Sequence, residues 1–538
     1  MTKLFKNRVL VEYVTSVFNI LGGTVLFAFY YVFFYKVTLK EEIKILLDSN
    51  MDLVKENSFF FLDSLIVGYI SHHQLFSLLY TLVVGFFCFL ARKSIFWSRN
   101  EVSKSFLIII FFTSLIFTFN NGFSGFNFFT NNWYYFDRIL LIISSILLLI
   151  SPFAFFIYFP VLFLFFSSFN YPLDSFSFAD KSLPLFVLFY TLSLYGCFLI
   201  VKLLNKKVRF EVMWIFGILM IVCCSYLAPF LIKLSISENY FDWFLKEDFS
   251  MAFQFYLDRG WLLNLSSSSI NFIKDLLSNY QKIFLFIALL IEALGLFLFF
   301  RWRYSAFIIF IMTTLNVGIF FLSAIFFWKW ITFNLLIISY LIYKKPSLDL
   351  SRTFIFATVL ISIFYAYSIP FFPKLGWYST PYKLVYYLDV EDENGEKFSI
   401  QGKDMAPFDI YFTFSRWDIF NKDQLNISHM DYKDIEYFKN KSVVSLKAEL
   451  KNRGINKYDA DNDKILELFL REYFTNFNQS EFKKELIISP PAHIQIRSIN
   501  PFLFDKKVRK INIMAKELWY GNDSNKDFEL HILKTIEL

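Results

Sequence analysis

Apolar runs separated by short polar breaks fill the first 371 positions. They fall at 10–35, 74–91, 104–119, 138–152, 153–169, 184–203, 212–234, 282–300, 304–328, 330–343 and 354–371. Several approach the roughly 20 residues that a helix needs to cross a bilayer. The pattern predicts an all-α polytopic membrane domain of about 9–11 spans over residues 1–371, with the short pair around Ser151-Pro152 read as a broken hairpin.

The rhythm changes from 372 onward. KLVYYLDV-EDENGE-KFSI predicts a β-hairpin, with Asn394-Gly395 supplying the positive-φ turn residues. DNDKILELFLREYF (461–474) has an acidic start and helical spacing of apolar residues, while HIQIRSI and KINIMAKELWY alternate like half-buried strands. Residues 372–538 therefore read as a smaller α+β domain. No internal repeat and no low-complexity linker is visible. The polar interval 235–281 contains LNLSSSSINFIKDLLSNY, which predicts either an amphipathic helix lying on the membrane or a polar loop with a surface helix.

Composition strengthens the membrane reading: 56% of the 538 residues are hydrophobic and 22% aromatic. The net charge of +7 is uneven, because 372–538 holds 25 Lys+Arg against 26 Asp+Glu and the preceding region 28 against 20. The surplus thus belongs to the membrane region and reports orientation, not nucleic-acid binding. Lys3, Lys6 and Arg8 put the N-terminus on the cytoplasmic side. Alternating crossings then gather Arg92/Lys93/Arg99/Lys104, Lys202/Lys206/Lys207/Arg209, Arg301/Arg303 and Lys344/Lys345/Arg352 on that side, and send 372–538 to the extracytoplasmic side of what reads as a bacterial cytoplasmic membrane. The first apolar run is too long for a signal peptide and lacks a cleavage site. All four cysteines (Cys88, Cys197, Cys223, Cys224) lie in apolar runs, which argues against a disulfide framework or a thiol metal site.

No Walker A loop, dinucleotide glycine fingerprint, HExxH, GxSxG or CxxC is present. Candidate chemistry therefore rests on isolated polar residues in apolar surroundings. Adjacent His72 and His73 read as an interfacial anchor or a proton relay; they point about 100° apart on a helix, so they cannot easily share one metal. Glu292, in FLFIALLIEALGLFLFF, is either a proton-handling group or one half of a helix–helix ion pair. Lys233 ends an apolar run and either snorkels to the interface or is desolvated into a neutral amine able to act as a base. Arg138, beside Asp137, either clamps an acidic group or makes a local ion pair or lipid contact.

Lys233-Leu234, then Asp242-Trp243, then Phe249-Ser250-Met251, resembles the vitamin K-dependent gamma-glutamyl carboxylase and its bacterial relatives, the horizontally transferred transmembrane domain superfamily. The resemblance continues through LLIEALGLFLFFRWRYSAFIIFIMTTLNVGIFFLSAIFF, which is similar to the family's carboxyl-terminal helical pair and carries its acid as Glu292. The chain departs from the family at Pro229-Phe230, where a small residue and glycine are usual, and at Thr313, where alignment on Asn316 puts a histidine. It also lacks the glycine after Trp243 and a histidine near NNWYYFDR. The resemblance implies Lys233 as the base that deprotonates a reduced quinone, with Glu292 as its catalytic companion and Trp243 and Asn316 on the substrate side; Arg138 is added there from its position alone, as a clamp for an acidic group. It implies a carboxylase-like lyase or ligase, with a degenerate active site, acting on a polypeptide at the outer face. The alternative is a non-catalytic membrane subunit or scaffold for export or assembly of a secreted polypeptide, docking through 372–538. The expected partners are membrane lipid and a polypeptide, with no nucleic acid and no metal.

Overall fold

The computed structural model describes residues 21–25, 74–90, 96–98, 102–118, 136–159, 161–162, 182–204, 210–236, 239–258, 261–262, 265–323, 325–346, 352–368, 382–400, 441–453, 460–479, 505–520 and 526–538. The protein is mostly helical, with an antiparallel sheet at its C-terminal end. The helices that concern the argument are α1 (Gln74–Leu90), α2 (Lys104–Thr118), α3 (Phe136–Leu148), α4 (Ser182–Leu204), α5 (Phe210–Ser235), α6 (Asp242–Lys246), α7 (Phe249–Asp258), α8 (Ser267–Ala293), α9 (Trp302–Ser323), α10 (Trp328–Lys344) and α11 (Arg352–Ser368). The first apolar run, apart from 21–25, lies outside the described residues, as do His72, His73 and much of 153–169.

Among the described residues, three helices are long and apolar enough to cross a membrane: Phe210–Ser235, Ser267–Phe297 and Trp302–Ser323. The first of these, α5, is the axis of the helical part. It is apolar all round and buried from Met213 through Pro229, packed by α4, α8 and α11. Gly217 makes the α4 contact possible, because a Cβ there would overlap the Tyr190 ring. Tyr190 uses that space to donate its hydroxyl to the Met213 carbonyl at 2.8 Å. At the start of α5, Glu211 Oε1 accepts the hydroxyls of Ser103 (2.5 Å) and Tyr340 (2.9 Å), tying the residue before α2, and α10, to the same turn. Ser114 and Ser145 pair at 2.7 Å between α2 and α3. Hydroxyl bridges of this kind are the usual polar glue between apolar helices.

The segment read as a separate surface helix is instead the first half of α8. Ser266 caps it by accepting the Ser269 N–H at 3.2 Å, and the helix then runs unbroken into the apolar stretch. Over 267–297 it is roughly 45 Å long at 1.5 Å per residue. The N-terminal half carries α6 and α7: Gln281 Oε1 accepts the Phe249 N–H at 3.0 Å and Lys282 donates to the Glu247 carbonyl at 2.9 Å.

In the tail, β1 (Tyr382–Asp392), β2 (Lys397–Ile400), β3 (Val508–Tyr520) and β4 (Lys526–Glu537) form one antiparallel sheet in the order β2-β1-β3-β4. The predicted hairpin is present, but of its Asn-Gly pair only Gly395 takes a positive φ, of 82°. Asp392 is the reason. Its Oδ1 accepts the N–H groups of Asn394 and Glu396, both at 2.9 Å, and its carbonyl accepts the Gly395 N–H at 3.1 Å. The loop is thereby held in a tight turn that Gly395 closes, and Asn394 does not share the positive-φ role that the pair suggests.

Helices α12 (Val443–Arg453) and α13 (Ala460–Gln479) accompany the sheet. The second covers the predicted 461–474 helix and buries Leu466, Phe469, Leu470, Tyr473, Phe474 and Phe477. It is pinned by Asn478, which donates to the Val508 carbonyl at 2.7 Å and accepts the Val508 N–H at 2.9 Å. The predicted HIQIRSI strand lies outside the described residues. Leu518 of β3 is buried against Phe255 of α7, so sheet and helices share an apolar contact.

Candidate functional site

Lys233 sits in the last turn of α5 and its ammonium turns inward. Its Nζ donates to Glu292 Oε1 at 2.5 Å, and the two residues are only 9% and 6% exposed. A snorkelling lysine would keep its head in water; this one is held by a carboxylate from another helix. Removing each charge from water costs several kcal/mol, which only a close, hydrogen-bonded partner offsets. Glu292 lies one residue before the end of α8, so two apolar helices each contribute one charge to the pair.

The third member is Trp243. Lys233 Nζ lies 4.8 Å from the centroid of its ring, within cation–π range. The short helix α6 places this tryptophan, and its neighbours fix α6. Asp242 Oδ2 accepts Lys246 Nζ at 3.0 Å, and the Glu247 N–H closes on the Trp243 carbonyl at 2.9 Å. Asp248 Oδ1 then caps α7 by accepting the Ser250 hydroxyl at 2.6 Å and the Met251 N–H at 3.2 Å. The Asp-Trp and Ser-Met elements thus have local structural work that brings the ring over Lys233.

A second polar layer lies along α5. Tyr226 is two helical turns before Lys233 and so on nearly the same face. Its hydroxyl accepts Asn316 Nδ2 of α9 at 2.8 Å and Asn334 Nδ2 of α10 at 2.9 Å. Tyr226 also packs edge-on against Trp330, with centroids 5.5 Å apart. Asn316, expected on the substrate side, spends its amide on Tyr226. Thr313 donates its hydroxyl to the Ile309 carbonyl of its own helix at 2.7 Å.

The structure brings together Lys233, Glu292 and Trp243, with Asn316 one layer away through Tyr226. Arg138 falls in the first turn of α3, and its side chain lies outside the described residues. Sequence reasoning does not single out Tyr226, Trp330 or Asn334. Asn334 carries the same signal as Glu292, a polar residue within an apolar run, and Tyr226 the seven-residue spacing to Lys233. With this geometry described, comparison with known proteins adds no relative: no family model, no curated protein and no solved structure matches the chain.

Proposed function

We propose that the protein is a multi-pass membrane enzyme that modifies or matures a polypeptide on the extracytoplasmic face, with Lys233 and Glu292 as its acid–base couple. The observation that carries this reading is the buried Lys233–Glu292 contact beneath the Trp243 ring. Positive-inside placement of Arg209 puts the start of α5 at the cytoplasmic face. Lys233 is then about 36 Å further along the helix at 1.5 Å per residue. A hydrocarbon core is about 30 Å thick, so the couple stands at the outer face.

A lysine acts as a base only when its amine is neutral. Transfer of one Nζ proton to Glu292 Oε1 gives a neutral amine beside a carboxylic acid, with the net charge of the pair unchanged. The amine lone pair can then take a proton from an acidic O–H held next to it, leaving an oxyanion paired with the re-formed ammonium. A reduced quinone, the cofactor implied by the resemblance, would bring such an O–H, and Lys233 Nζ beneath the Trp243 ring is the group that would receive its proton. When bound the quinone would supply reducing equivalents for oxygen-dependent chemistry.

Purified protein supplied with a reduced quinone, with Lys233→Ala and Lys233→Arg alongside, tests the proposal. Loss of quinone turnover in both variants is the expected result, since arginine keeps the charge but cannot surrender its proton. Turnover equal in parent and variants, or none in the parent, sinks it.

One observation favours a second reading, a non-catalytic subunit that docks a secreted polypeptide. Leu530 and Ile532 of β4 are 52% and 65% exposed on a strand that ends the sheet order. Exposed apolar edge strands are templates for pairing. Cross-linking of the full chain to a polypeptide at β4, lost on Ile532→Lys and kept in Lys233→Arg, would support it.

A further inference from the structure

The polar layer behind the ion pair contains atoms that the protein leaves unmatched. Glu292 Oε2, Trp330 Nε1 and Asn334 Oδ1 are buried without a hydrogen-bond partner among the described residues. Their parent residues all neighbour Tyr226. Asn334 is bonded to it and Trp330 packs on its ring. Glu292 stands one turn before Gly295, which packs against Cys223, and Tyr226 stands one turn after Cys223 on the facing, oppositely directed α5. The Tyr226 hydroxyl already accepts two amide N–H groups, so its own proton points elsewhere and meets no acceptor among the described residues. Turning the Asn334 carboxamide over would give that proton an acceptor, but would leave two N–H donors unmatched in its place. Either way donors and acceptors face one another across Tyr226 without closing.

Buried polar groups in this state are commonly bridged by an internal water, which needs two to four polar partners. The inventory here matches one: the indole N–H and the phenol O–H as donors, the carboxylate and carboxamide oxygens as acceptors. We propose that a bound water sits among Tyr226, Trp330, Asn334 and Glu292 Oε2, and that Tyr226 acts through it as a positioning residue for the carboxylate that holds Lys233. Glu292 then has one oxygen on the ammonium and the other on the water, which fixes the plane of the carboxylate. The purpose of this arrangement rests on the acid–base reading above; its existence does not.

The full chain in lipid nanodiscs supplies the test. The infrared carboxyl or carboxylate band lost on Glu292→Gln identifies Glu292. Exchange into D2O is expected to shift that band, and Tyr226→Phe and Trp330→Phe are each expected to move it further. An experimental map should show a peak about 3 Å from both Glu292 Oε2 and Trp330 Nε1, the ordinary hydrogen-bond separation. A band unmoved in both variants, or an ordered map without the peak, overturns the proposal. If Tyr226→Phe fails to fold, Trp330→Phe decides, because it removes a donor that no described protein group uses. No substrate enters the measurement, so an inactive parent would count against the enzyme reading and leave the water site standing or falling by itself.

Discussion

Lys233 and Glu292, 59 positions apart, meet at 2.5 Å and join the C-terminal turn of α5 to the C-terminal turn of α8. Each charge makes the other tolerable in an apolar interior. Lys233→Ala or Glu292→Ala alone should therefore cost about 3–5 kcal/mol, the range for removing one partner of a buried pair. The double replacement Lys233→Met/Glu292→Leu removes both charges at similar volume and should recover most of that loss. Thermal unfolding of the four proteins in one detergent checks this. A double variant as unstable as the singles would mean the pair holds the fold by something other than mutual compensation.

Gly217 sets the distance between α4 and α5. An alanine methyl would fall on the Tyr190 ring, whose hydroxyl is already fixed on Met213. Gly217→Ala should destabilise by about 1–3 kcal/mol, as overpacking of a filled interior does. Tyr190→Leu should recover part of the loss only in the Gly217→Ala background, since it vacates the space the methyl needs. Equal effects of Tyr190→Leu in both backgrounds would show that the two side chains do not compete.

Much of this was legible from run length alone. The apolar stretches at 74–91, 104–119, 184–203 and 304–328 reappear as α1, α2, α4 and α9 because an apolar run of that length has few other ways to satisfy its backbone. Lys233, Glu292 and Trp243 are singled out by a resemblance and by the rarity of charges in such runs, not by periodicity, and nothing in the sequence says that the three meet. What could not be read was tertiary. The polar start of α8 reads as a surface helix apart from the span until Ser266 is seen to cap one continuous helix. The strand β4 hides its period because Leu533 is an extra residue between the pairs Met514–Ile532 and Ile513–Lys534. Past that bulge Ile536 faces the core, whereas Leu530 and Ile532 face outward.

The hairpin of the tail should respond to acid. Burial alone would raise the Asp392 carboxyl, but the Glu396 N–H, the Lys506 ammonium at 3.1 Å and the Asn394 N–H together hold it below the usual carboxylate range. A folded-state value below the unfolded one stabilises the ionised form. That stability is full above the unfolded value of about 3.9 and is lost as pH falls through the lower folded value. Hydrogen exchange at the Asn394 and Glu396 amides, corrected for intrinsic rates, should lose protection in that acid window and stay level from about pH 5 to 8. Asp392→Asn should weaken protection at neutral pH and flatten the acid response; an unchanged acid response in that variant would assign the effect to another group.

The orientation of the chain yields the last prediction. Val444 of α12 is 78% exposed in the tail, and Tyr343 is 75% exposed beside the basic Lys344 and Lys345 at the end of α10. Basic residues between close spans favour the cytoplasmic side, and the odd number of crossings proposed between that turn and residue 372 carries the tail to the other side. The native cysteines lie in apolar helices, and Cys223 and Cys224 are buried, so they can be replaced with small residues to clear the background. In intact cells with the outer envelope made permeable, a membrane-impermeant thiol reagent should label Val444→Cys and leave Tyr343→Cys untouched until the membrane is broken. The reverse pattern would put the Lys233–Glu292 pair at the cytoplasmic face and remove the polypeptide substrates of the secretory side from consideration. Labelling of both positions before lysis would instead mean that α11 does not cross, because one missing span is the smallest change that puts the two reporters in the same compartment.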